Sequence, residues 1–204
     1  MKIYKMYASS INGRYLDELV ETLRGGGVII FPTDTLYSVG CDALQNRAVE
    51  RVCRIKEINP AKQRLSICCS GISQASEYAT ISNTDFRLLK ENLPGPFTFI
   101  LPATPRLSKA FKGRREVGVR VPANPIATAL AEALGNPLLC ASVAWDDADP
   151  GDAERPEALE MRYGKSVDAI IDAGESGGIP SAIVSLTGPD APEVLREGPL
   201  PLKE

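Results

Sequence analysis

Apolar positions along this chain recur with two periods, and the switch between them predicts the elements. Leu16, Leu19, Val20 and Leu23 lie at i, i+3, i+4 and i+7, one face of a helix that Gly25 to Gly27 close. Val28 to Phe31 is a continuous apolar run ending at Pro32, which predicts a strand buried on both faces. A second helix, capped by Asn46, turns Val49, Val52 and Cys53 to the core, and Leu65 to Cys68 is the next strand. Phe86, Leu89 and Leu93 predict a third helix, broken by Pro94-Gly95-Pro96 before strands Phe97 to Leu101 and Val117 to Val121. Asn124-Pro125 starts a helix that runs to Leu134 and stops at Gly135. Leu138 to Ser142, Ala169 to Ile171 and Ala182 to Leu186 complete the strands. This alternation predicts an α/β or α+β fold, a twisted mixed sheet flanked by helices. No repeat or linker divides the chain, so one domain over residues 10–200 is expected, interrupted only by an exposed acidic loop, Asp146 to Pro156.

Composition narrows the function. With 204 residues, 44% of them apolar, the chain can bury a proper core, which excludes disordered, collagen-like and coiled-coil readings. No apolar run approaches the ~20 residues that cross a bilayer, and MKIYKMYASS lacks the apolar stretch of a secretory signal. Cys41, Cys53, Cys68, Cys69 and Cys140 show no CxxC spacing and are odd in number, which predicts reduced, buried thiols in a cytoplasmic protein with no membrane partner. The chain has no His. Ser-His-Asp triads, Cys-His pairs and His-based zinc sites are therefore excluded, leaving catalysis to positioning, Lys/Arg electrostatics, carboxylates or a metal brought by a substrate.

The net charge of −3 hides two basic runs. Arg47, Arg51, Arg54, Lys56, Lys62 and Arg64 form the first; Arg106, Lys109, Lys112, Arg114, Arg115 and Arg120 form the second. Each reads either as a solvated face or as part of an anion-binding surface. Pro32-Thr33-Asp34-Thr35-Leu36-Tyr37 directly follows a buried strand, where α/β sheets bind ligands; from periodicity alone it reads as a polar strand-to-helix turn with an Asx-type bond from Asp34. Arg120 interrupts the apolar strand VGVRVP, so it must point outward, pair, or face a polar cavity. Lys56 ends the second helix; Ser142, Ser181 and Arg196 sit at strand ends. Neither GxxxxGK[ST] nor GxGxxG is present.

Read together, GGVIIFPTDTLYSVGCDA, RIKE, LPGPFTFIL, VGVRVPANPIATALAEALGNPLLCAS, PSAIVSLT and VLREG resemble the YrdC/YciO-type family, in family order from Gly25 to Gly198. The best-known members are L-threonylcarbamoyladenylate synthases. The resemblance implies an α/β fold around a positively charged cavity, and ATP or AMP-type nucleotide, L-threonine and bicarbonate as ligands. The carbamate of threonine attacks the α-phosphate of ATP, and the product serves tRNA threonylcarbamoyladenosine modification. Mg²⁺ would enter with ATP in a synthase, with no metal site in the protein itself. Carried over by position, Lys56 and Thr35 take the catalytic positions, while Thr33, Tyr37, Arg120, Ser142, Ser181 and Arg196 bind substrate. Ile58 replaces the Arg of the family's Lys-x-Arg, and Ala144 the Asn of its Ser-x-Asn, which resembles the YciO branch and implies altered chemistry such as hydrolysis of the adenylate. The basic runs keep an alternative open, a non-catalytic module for double-stranded RNA or tRNA.

Overall fold

The computed structural model describes residues 1–111, 115–143, 155–189 and 191–203. Lys112, Arg114, Ala144 and nearly all of the acidic stretch Asp146 to Pro156 lie outside the described residues. Among the described residues the chain runs β1 (Lys2–Lys5), α1 (Gly13–Arg24), β2 (Ile29–Phe31), β3 (Ser38–Asp42), α2 (Asn46–Ile55), β4 (Ser66–Cys68), α3 (Ile72–Tyr78), α4 (Asn83–Asn92), β5 (Phe97–Pro102), β6 (Glu116–Arg120), α5 (Pro125–Leu134), β7 (Leu138–Ser142), α6 (Pro156–Tyr163), β8 (Ala169–Asp172), β9 (Ala182–Ser185) and β10 (Glu193–Arg196). Ten strands form one mixed sheet in the order β1-β8-β2-β3-β7-β4-β6-β5-β9-β10. No described helix is long and apolar enough to cross a membrane.

Several elements depart from the pattern reading. Pro32 to Tyr37 leads into an antiparallel return strand, β3, instead of a helix. The residues SVGCD carry little apolar signal, and Gly40 is required there: a Cβ would lie 2.2 Å from the Leu139 carbonyl oxygen and 2.6 Å from the Phe31 ring. Asn46 is the first residue of α2, not its cap; Gln45 holds that place, and the Asn46 side chain donates to Glu50. Phe86 is 47% exposed, and α4 turns Leu89 and Asn92 inward instead. The start at Asn124-Pro125 is as expected: the Asn124 side chain accepts from the Ile126 and Ala127 amides, and Gly135 closes α5 at φ 77°.

Strand alternation sorts the sheet into two faces. Val39, Cys41, Ile67, Phe97, Phe99, Leu101, Val117, Val119, Leu139, Ala182 and Val184 point to one side, where α2, α3 and α6 pack on a continuous apolar cluster. On the other side Ile29, Phe31, Cys68, Leu138 and Cys140 meet α1 and α5. That second cluster ends at β4. Beyond it the same face continues with Gly118 and Arg120 on β6, Thr98 and Ile100 on β5, and Ile183 and Ser185 on β9. No described helix covers these positions.

Candidate functional site

The central feature of this helix-free face is Arg120, at the end of β6 and 7% exposed. Its Nη2 donates to Thr35 Oγ1 at 2.9 Å, Asp34 Oδ1 at 3.2 Å and Thr33 Oγ1 at 3.4 Å. The loop holds this shape by its own bonds. Thr33 Oγ1 lies 3.0 Å from Thr35 Oγ1, donates to the Leu36 carbonyl at 2.6 Å and accepts from the Thr35 amide at 3.1 Å. Asp34 Oδ2 accepts from the Ala123 amide at 2.9 Å, and Asn124 Nδ2 donates to the Thr33 carbonyl at 3.2 Å, tying the loop to the start of α5. The Arg120–Asp34 pair is deeply buried, with side chains 8% and 9% exposed. Arg120 Nε has no hydrogen-bond partner among the described residues. An unpaired buried donor costs roughly 1–3 kcal/mol, which a ligand anion would offset.

A second cation stands on the same face. Register brings Thr98 level with Arg120, and Thr98 Oγ1 lies 2.8 Å from Ser181 Oγ. The Ser181 carbonyl accepts from Arg196 Nε at 3.0 Å and Nη2 at 2.8 Å. Burial, then the charge of Arg120, lowers the Arg196 guanidinium from its ordinary value, which marks the two cations as neighbours. Gly198 lets the chain after β10 close on β9: a Cβ there would lie 2.3 Å from the Ala182 amide nitrogen. The structure thus joins Thr33, Thr35, Arg120, Ser181 and Arg196 on one face.

The remaining positions differ. Ser142 pairs with Ser38 at the opposite end of the register from Arg120, so it stands apart from the strand ends that bring Arg120, Ser181 and Arg196 together. Lys56, the residue closing α2, reaches the end of β7 from the opposite layer: its Nζ donates to Tyr163 Oη at 3.0 Å and approaches the Val143 carbonyl at 3.4 Å. Burial, then repulsion from Arg162, lowers its ammonium to about 8. Tyr37 has no open hydroxyl. It is 1% exposed, donates to the Gly174 carbonyl at 2.7 Å and accepts from the Ala173 amide at 3.0 Å, anchoring the segment whose Gly177 amide donates to the Thr35 carbonyl.

A Sua5/YciO/YrdC family model, described as "Telomere recombination", matches residues 21–198. The chain belongs to the Sua5/YciO/YrdC family. It is 40% identical to YciO of Escherichia coli, over 91% of this chain and 89% of that protein. The crystal structure of E. coli YciO matches with a TM-score of 0.90 and 36% identity, covering 100% of this chain and 98% of that one. A threonylcarbamoyl-AMP synthase of Stenotrophomonas maltophilia is 33% identical over 80% of this chain and 88% of its own. P. abyssi Sua5 complexed with L-threonine matches with a TM-score of 0.89 and 28% identity, covering 99% of this chain and 59% of that one.

Ile58 is half-buried against the apolar cluster on the α2 side, so its position supplies packing. Arg54 lines a separate depression with Glu50, Cys53 and Glu57. Sequence reasoning missed Thr98, Asp34 as the ionic partner of Arg120, and the second role of Asn124. Thr98 was findable as the one hydroxyl in FTFIL; its contact with Ser181, 83 positions away, was not.

Proposed function

We propose that this chain is an enzyme acting on threonylcarbamoyl-AMP, either forming it from ATP, L-threonine and bicarbonate or hydrolysing it. The supporting observation is the arrangement of Arg120, whose Nε has no partner among the described residues, and Arg196 on one helix-free face, linked through Thr98 and Ser181. The ligand has two anionic parts, a carboxylate and a phosphate, and a fork-shaped cation suits each. Arg120 would take the threonine carboxylate, with Thr33 and Thr35 at its side. Arg196 and Ser181 would face the phosphate, and Lys56 with Ser142 the far end of a triphosphate.

Neither direction needs a histidine. In synthesis the threonine amine and bicarbonate give a carbamate, whose oxygen attacks the α-phosphorus and displaces pyrophosphate. In hydrolysis water cleaves the anhydride to AMP and a carbamate that decays to threonine and carbon dioxide. The protein contributes alignment and offset charge. Hydroxyls and guanidiniums dominate this donor set and Asp34 is already ion-paired, so Mg²⁺ belongs on the phosphates of ATP. The double-stranded RNA or tRNA reading is less well supported, because Arg51 and Arg106 of the basic runs are paired with Asp168 and Glu77.

Purified protein given ATP, L-threonine, bicarbonate and Mg²⁺, and separately preformed threonylcarbamoyl-AMP, is expected to make or consume the adenylate, followed by chromatography of AMP and pyrophosphate. Arg120→Ala should reduce the rate at least tenfold. Inertness in both assays defeats the proposal.

A further inference from the structure

Four residues before Arg120 on β6, the helix-free face carries a polar group with no role in the site described so far. Leu65 is buried in the cluster on the α2 side, so its neighbours Arg64 and Ser66 turn to the opposite, helix-free face. Arg64 Nε donates to Glu116 Oε2 at 2.7 Å, and Thr187 Oγ1 donates to Glu116 Oε1 at 2.9 Å. Ser185 Oγ lies 3.2 Å from Thr187 Oγ1. The carboxylate of Glu116 is therefore fixed from two sides and holds the guanidinium by Nε alone. The two terminal amino groups of Arg64 make no hydrogen bond to the described residues, and the side chain is 38% exposed.

Register places this cation. Ser66 pairs with Cys140 on the antiparallel β7, which brings Arg64 level with Ser142. The next residue, Val143, has its carbonyl 3.4 Å from Lys56 Nζ. Arg64 and Lys56 thus flank Ser142 at one end of the central strands, while Arg120 lies four residues along, about 13 Å at the usual rise. Gly118 and Ser66 between them are small; a Cβ on Gly118 would lie 2.3 Å from Ser66 Oγ, so the floor is low there.

We infer that Arg64 is a phosphate-binding residue of this site, oriented by Glu116 and Thr187, and that it takes the terminal phosphates of a nucleoside triphosphate with its two amino groups. An arginine gripped at Nε by a carboxylate presents its remaining donors as a preset pair, the geometry that binds two phosphate oxygens at once. The span to Arg120 demands an extended ligand, which a triphosphate satisfies and a lone amino acid does not. This inference rests on the nucleotide reading above and adds to it where the polyphosphate lies.

The test is calorimetric titration of the intact protein with ATP and with AMP, for wild type, Arg64→Ala, Arg64→Gln and Arg64→Lys, with far-UV circular dichroism to verify folding. Arg64→Ala and Arg64→Gln should weaken ATP binding about tenfold or more and AMP binding less than twofold. Arg64→Lys should recover part of the ATP loss. ATP affinity within twofold of wild type in folded Arg64→Gln, or equal loss for ATP and AMP, overturns the inference while leaving the nucleotide reading standing. Wild-type protein that binds neither nucleotide overturns both.

Discussion

At the scale of single residues, the site depends on charges held where water is scarce. Arg120 sits among two threonine hydroxyls and a buried aspartate, and removing one partner of such a pair costs about 3–5 kcal/mol, because the other charge is left stranded. This explains why a cation can interrupt an apolar strand. Lys56 shows the opposite balance: burial and Arg162 lower its ammonium from 10.5 to about 8. Between those values the unfolded chain binds the proton more tightly, so folding is penalised in full below about pH 8 and the penalty fades toward pH 10.5. Denaturant unfolding of wild type and Lys56→Met across pH 7 to 10.5 should therefore show the difference moving in favour of wild type as pH rises. A difference independent of pH would mean that the ammonium is well hydrated.

At the scale of elements, the helix-free face requires that β4, β5 and β6 pack closely without bulk on that side. Gly118 permits it, since a Cβ there would meet Ser66 Oγ at 2.3 Å and Thr98 Cγ2 at 2.9 Å. Gly118→Ala should destabilise the protein by about 1–3 kcal/mol, the usual cost of overpacking. Adding Ser66→Ala should recover part of that loss, with urea unfolding as the measure; no recovery would place the strain elsewhere in the strand. The loop between β2 and β3 is held in a comparable way, by the cap of a distant helix: Asn124 serves α5 and the Thr33 carbonyl together.

At the scale of the whole molecule, two apolar clusters sandwich a mixed sheet and enclose all five cysteines. Burial pushes the Cys41, Cys53, Cys68 and Cys69 thiols up. Native protein should give almost no colour with Ellman's reagent within minutes and five thiols in guanidinium chloride; rapid reaction in the folded state would contradict the packing. Much of this architecture was legible in the chain. Apolar periods marked α1, α5 and the inner strands, Asn124-Pro125 and Gly135 marked the ends of one helix, and Arg120 stood out as a cation among valines. The lack of histidine limited the chemistry before any coordinate was known. These are local properties, determined by the period and conformational preference of a few consecutive side chains. Tertiary structure alone decided that α1 and α5 cover only part of one face, that Thr98 meets Ser181, that Tyr37 turns to the backbone at Gly174, and that Arg64 comes level with Ser142. A period states which residues share a face of their own strand; which strands are neighbours, and in what register, is decided by packing between segments far apart in the chain.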